Sequence, residues 1–235
     1  MNEIDKIKER YSERVRSGKN VWYSRHMLLN ELYRKEKDDC IRKLFRKIQF
    51  TNFSEIKVLE VGCGNGSNLQ KLIESGFSSA NLYGNELLDE RLQQARTTLP
   101  SDVHLYPGDA CALPFESHSF DIVYQSTVFS SILDQEFRQS LASRMWDWVR
   151  PGGGILWYYF IYNNPWNPDV RGVSVKQVKS LFPHGRLIYY RLTLAPPLAR
   201  FVTTIHPVLY SIFNVFPLLR THISVGYRNL ADCIL

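Results

Sequence analysis

Apolar residues recur at helical spacing over residues 2–17 and roughly 25–48, with charges filling the other positions. This predicts two charged amphipathic helices, separated by Ser17-Gly18-Lys19-Asn20. Then the pattern changes. Ile56-Lys57-Val58-Leu59-Glu60-Val61 predicts a short buried strand that runs directly into Gly62-Cys63-Gly64-Asn65-Gly66. Ser67 to Ser75 predicts a helix ended by Gly76, Ala80 to Glu86 a second strand, and about Leu88 to Thr98 a helix. Val103 to Tyr106 and Phe120 to Tyr124 supply the third and fourth strands. A helix from about Gln135 to Val149 precedes Pro151-Gly152-Gly153-Gly154, and Ile155 to Phe160 is a fifth, strongly apolar strand. Residues 186–194 and 221–228 are two further extended stretches with a helical insertion near 196–219 between them.

Strands alternating with helices imply right-handed crossovers and a mostly parallel sheet covered on both faces. The reading is one α/β domain over residues 51–235, with residues 1–50 as an N-terminal helical cap.

Charge is concentrated at the start. Residues 1–48 hold 14 Lys and Arg against 8 Asp and Glu, which equals the whole net excess of +6. A basic segment of that kind suits a solvated helix face first, and nucleic acid or an anionic lipid surface second. The four cysteines at 40, 63, 111 and 233 have no CxxC spacing, so neither a metal site nor a disulfide framework is expected. The same usage fits a reducing, cytoplasmic compartment. The first residues offer no apolar leader, and no uninterrupted apolar run is long enough for a spanning helix.

The glycine turn between strand and helix brings backbone amides close to a ligand. Its glycines stand at 62, 64 and 66, and Ser67 occupies the place where the dinucleotide fingerprint requires glycine. Glu60 lies two residues before the turn, where a carboxylate would repel a pyrophosphate but suit a ligand bearing an ammonium and a sulfonium. Glu86 ends the second strand, placed to accept hydrogen bonds from ribose hydroxyls. Gly108-Asp109-Ala110 follows the third, where a side chain and a backbone amide can bracket an adenine edge. A nicotinamide dinucleotide is disfavoured on these grounds.

Val58-Leu59-Glu60-Val61-Gly62-Cys63-Gly64-Asn65-Gly66 resembles motif I of the class I S-adenosylmethionine-dependent methyltransferases. Gly84-Asn85-Glu86 resembles motif II of that family. Gly108 to Phe115, Ser119 to Gln125 and Val149 to Gly153 resemble its adenine-binding stretch, fourth strand and fifth-strand turn. The resemblance implies a Rossmann-like class I methyltransferase fold with a seven-stranded, mostly parallel sheet, and S-adenosyl-L-methionine as cofactor. It further implies Gly62, Gly64 and Gly66 beside the methionine moiety and Glu60 near its amino group. Glu86 and Leu87 fall at the ribose, Asp109 and Ala110 at adenine, and Gln125 on the way to the acceptor.

Methyl transfer needs alignment and exclusion of water, and an oxygen acceptor also needs a proton acceptor. His206, His222 and Tyr162 are the candidates, with Asp169 no better placed. The base-methylating signature N/D-P-P-aromatic is absent after the fourth strand. Aromatics interleaved with Asn163, Asn164, Asn167, Asp169 and Arg171 suggest walls for a sugar, or else turns and a covered sheet edge. This stretch is similar to a subgroup of bacterial methyltransferases associated with surface-polysaccharide assembly, although that subgroup carries an acidic residue where this chain has Tyr159. Phe201 to Leu219 reads as an apolar hairpin that closes the acceptor pocket or rests on a bilayer. Tyr11, Trp22 and Tyr23 are candidates to fold over the cofactor.

The leading expectation is O-methylation of a sugar or glycan precursor. Carbon methylation of a lipid-like quinone, RNA methylation and a nucleoside-binding interaction domain are the alternatives. No RNA-binding module supports a nucleic-acid partner. A peripheral membrane contact stays open, and the oligomeric state is not legible.

Overall fold

The computed structural model describes residues 2–17, 27–48, 52–163, 167 and 169–229. Helix α1 (Glu3–Arg16) starts at Asn2, whose side chain accepts the Asp5 N–H, and it ends in Arg14 and Arg16. That charge order complements the helix dipole. Helix α2 (Met27–Ile48) follows.

Strands β1 (Val58–Val61), β2 (Leu82–Glu86), β3 (His104–Pro107), β4 (Phe120–Ser126), β5 (Val149–Phe160), β6 (Gly185–Leu194) and β7 (Arg220–Asn229) form one sheet, in the order β3-β2-β1-β4-β5-β7-β6. The first five run parallel, and β7 lies antiparallel between β5 and β6. Helices α3 (Ser67–Glu74), α4 (Asp89–Thr98) and α5 (Gln135–Trp148) connect the parallel strands.

Alternation along the strands sorts the core into two layers. Leu59, Val61, Val123 and Trp157 face Ile7 of α1 and Leu141 and Met145 of α5. Val58, Ile122, Tyr124 and Leu156 face Ile41, Leu44 and Phe45 of α2, with Leu69 and Leu72 of α3. Both N-terminal helices therefore pack into the same body as the sheet.

Two elements differ from the sequence reading. Strand β5 begins at Val149, and the glycine run lies inside it. A Cβ at Gly153 would run into the Asp121 carbonyl and one at Gly154 into that of Tyr227, so these glycines allow close strand approach where they read as a break. Helix α6 (Val175–Leu181) was not expected, yet Ser174 and Gln177 form a capping box at its start. The insertion is a hairpin of α7 (Pro196–Ile205) and α8 (Pro207–Phe213). Cys40, Cys63 and Cys111 are free thiols.

Candidate active site

A cleft opens where the carboxyl ends of β1, β2 and β4 meet the turn after β3. It encloses about 700 Å³ of empty space with its open mouth included. Gly62, Glu86, Leu87, Asp109 and Ala110 line it, together with Asn85, Arg91 and Thr127. The glycine turn reaches this edge by left-handed backbone at Gly62, Gly64 and Gly66, with φ of +69°, +59° and +83°. A Cβ on Gly62 would collide with the Val128 side chain, so the turn and the loop after β4 are in close contact.

Glu86 holds that turn in place. One carboxylate oxygen accepts the Gly64 N–H at 2.9 Å and the other the Leu88 N–H at 2.9 Å. A carboxylate has about four acceptor directions, so capacity remains toward the cleft. Asp109 caps a short 3-10 turn by accepting the Cys111 N–H at 2.9 Å. These groups fit a ribose and an adenine edge respectively.

Helix α1 supplies another wall. Ile4, Ile7 and Tyr11 line the cleft. The Tyr11 hydroxyl lies 3.1 Å from Ser131 Oγ, and Arg10 donates to the Ser131 carbonyl at 2.6 Å. Glu3 accepts the Leu133 N–H at 2.9 Å and the Arg10 guanidinium at 3.0 Å. The Tyr11 ring sits between two guanidiniums, Arg91 at 4.7 Å and Arg14 at 5.0 Å from its centroid. Arg91 and the isoleucines escaped the sequence reading, because nothing in a polar helix face announces which turn covers a distant loop. Trp22 and Tyr23 lie outside the described residues.

Glu60, Gly64, Gly66 and Gln125 are not among the lining residues. Glu60 is fully buried and belongs to the opposite face of the sheet, because its neighbour Val61 takes the cleft side. Asn68 donates to Glu60 at 2.6 Å and itself accepts from Lys37 of α2 at 2.6 Å. Burial pushes the Glu60 carboxyl up to about 7, opposed by Asn68 and Lys37. Glu60, expected beside the cofactor's amino group directly or through water, thus lies off the cleft lining and ties β1 to α3 and α2. Gln125 is buried beneath the loop after β4, where its side-chain oxygen accepts the Val128 N–H at 3.1 Å.

None of the proposed proton acceptors lines the cleft. His206 is exposed and accepts the Val208 N–H at 3.2 Å as the cap of α8. Tyr162 is exposed beyond β5. His222 pairs with Phe160 across β5 and β7 and stacks on Tyr158, with ring centroids 5.4 Å apart. Burial lowers its pKa to about 4, which keeps the imidazole neutral at neutral pH. Tyr159 donates to the Arg171 carbonyl at 2.5 Å, a structural role. Asn163 accepts the Gly172 N–H and Asn167 the Asp169 N–H, so of the two readings, sugar-binding wall or turns, these side chains take the second. Residues 164–166 lie outside the described residues.

A model of the methyltransferase domain family matches residues 58–153. The phthiotriol/phenolphthiotriol dimycocerosates methyltransferase 1 of Mycobacterium ulcerans is 32% identical over 145 residues, covering 60% of this chain and 52% of that protein. The chain thus spans about half the length of that relative. Among solved structures, an S-adenosylmethionine-dependent methyltransferase of Thermotoga maritima superposes with a TM-score of 0.62 at 13% identity, over 95% of this chain and 98% of that one. One from Archaeoglobus fulgidus gives 0.58 at 16% identity, over 86% and 99%. Likeness at this level establishes the fold. The matched model adds that residues 58–153 are similar to a methyltransferase domain.

Proposed function

We propose that this chain methylates a hydroxyl of an acceptor with a substantial apolar part. The observation that carries the methyltransferase reading is the cleft where the glycine turn, Glu86 and Asp109 converge under α1. S-adenosyl-L-methionine supplies a methyl on a cationic sulfur, with a neutral thioether as leaving group. The protein's own task is then alignment and exclusion of water. Glu86 is placed to accept from the ribose hydroxyls, Asp109 and Ala110 to meet adenine, and Gly62 to approach the methionine end. Ile4, Ile7, Ile132 and Leu141 make the enclosing wall apolar.

Thr127 stands at the exit of β4 with φ of +63°. Its N–H donates to the Tyr158 carbonyl at 3.1 Å, which pins this strained residue at the rim. An acceptor would come over that rim, toward β5 and β7.

Two points support the apolar part. The Mycobacterium ulcerans relative is named for methylating phthiotriol and phenolphthiotriol dimycocerosates. Two asparagines on which a free sugar would rely, Asn163 and Asn167, spend their side-chain oxygens on turns. Calorimetry with S-adenosylmethionine and with NAD, followed by transfer of labelled methyl into a cell extract, tests the reading. Label in the organic-solvent fraction, released by conditions that cleave a methyl ether, is the expected result. Strong NAD binding without S-adenosylmethionine binding would overturn the cofactor assignment, and label confined to water-soluble sugars or RNA the acceptor class.

A further inference from the structure

Residues 170–231 contain eight Lys and Arg and no Asp or Glu, whereas residues 49–169 contain fourteen Asp and Glu against seven Lys and Arg. The overall charge hides this segregation. Within the basic part, residues 201–219 hold no Lys, Arg, Asp or Glu at all, and Arg200 and Arg220 flank them. The Arg220 guanidinium donates to the carbonyls of Asn214 and Arg191 at 2.7 and 2.9 Å, neutral acceptors that leave its charge in place.

This stretch is the α7–α8 hairpin, apolar on its inward face and mostly apolar outward, where Thr204, His206 and Ser211 are the exposed uncharged exceptions. Ala199, Val202 and Tyr210 turn inward against Leu29 and Leu194. Phe201 and Ile205 of α7, Val208 and Ile212 of α8, and Phe216 and Leu218 beyond them are each more than half exposed, Leu218 to 85%. A surface helix ordinarily presents polar residues outward, and a contiguous apolar face of this kind marks a contact. The face is also fixed in position. Glu36 of α2 accepts the Tyr210 hydroxyl at 2.7 Å, the Asn214 amide at 2.7 Å and the Thr193 N–H at 3.0 Å.

We propose that the α7–α8 hairpin seats the protein on an anionic lipid bilayer. An uncharged apolar face framed by arginines and without carboxylates matches the boundary between acyl chains and anionic headgroups. A second copy would bring the same arginines against each other. The helices are ten and seven residues long, and among the described residues no helix is long and apolar enough to cross a membrane. The hairpin therefore lies in the interface. The inference does not depend on which acceptor is methylated.

Cosedimentation of the full chain with phosphatidylcholine vesicles, with and without phosphatidylglycerol, tests it. Binding to the anionic vesicles that weakens with salt is expected, and Ile205→Ser with Leu218→Ser should weaken it roughly tenfold or more. An unchanged thermal midpoint shows that the variant is folded. The wild-type comparison of anionic with neutral vesicles decides the matter even if the variant is not. No sedimentation with anionic vesicles, equal sedimentation of the folded variant, or a concentration-dependent dimer abolished by the same substitutions would overturn the proposal.

Discussion

The Tyr11 hydroxyl and Ser131 Oγ meet at 3.1 Å across 120 residues of chain, and this contact fixes α1 over the cleft. The ring between Arg91 and Arg14 adds a second hold that does not need the hydroxyl. Tyr11→Ala should therefore weaken S-adenosylmethionine binding by roughly tenfold in calorimetry, and Ser131→Ala by much less. Wild-type affinity in Tyr11→Ala would remove α1 from the binding site.

Glu86 accepts two backbone N–H groups and faces the cleft. Exchange for Gln takes away one acceptor oxygen and the negative charge. Glu86→Gln should lose roughly tenfold or more in S-adenosylmethionine affinity, since hydrogen bonds to charged groups contribute about 1.5–3 kcal/mol. The same variant should show a lower denaturant midpoint, because the turn at Gly64 loses its anchor.

Gly62 and Gly64 both have positive φ, but only Gly62 faces a neighbour, the Val128 side chain. A methyl group on Gly64 would stand in open space. Gly62→Ala should thus destabilise more than Gly64→Ala, by about 1–3 kcal/mol from backbone strain plus the clash. Adding Val128→Ala should relieve the clash and leave the strain, which chemical denaturation of the single and double variants can read.

Glu60 and His222 titrate in opposite senses. The Glu60 carboxyl rises from its ordinary 4.5 to about 7 on folding, mainly by burial. Its favourable contribution is complete below pH 4.5 and is lost as pH rises through 7. Glu60→Gln should flatten the decline in denaturation midpoint over that window.

For His222, burial lowers the value from 6.5 to about 4. Its contribution is present above pH 6.5 and is lost as pH falls through 4. His222→Phe should therefore soften acid unfolding. In the wild type, methyl transfer should show no inflection near 6.5 from this residue. An inflection there that the variant abolishes would restore His222 as a titrating base.

The first three parallel strands were legible because each ends at a glycine or a carboxylate, from Glu60-Val61-Gly62 to Glu86 and Gly108-Asp109. Period and turn chemistry are local, and they survive in the sequence. What was not legible depends on the partner face. Glu60 reads as a ligand-facing acid, and only the side of β1 on which Lys37 and Asn68 pack shows otherwise. The glycines of β5 read as a turn because the neighbouring carbonyls of Asp121 and Tyr227 are not visible along the chain. His206 looked like a base and proved to be a helix cap. Its position before Pro207 was the available signal.

The docking of α1 also bears on the order of events during synthesis. Its partners Ser131 and Leu133 emerge from the ribosome long after residues 3–16, so α1 has no place to rest until β4 and the loop beyond it exist. Until then its isoleucines stay available to other surfaces, and closing the cleft wall is among the last steps by which the chain reaches its finished form.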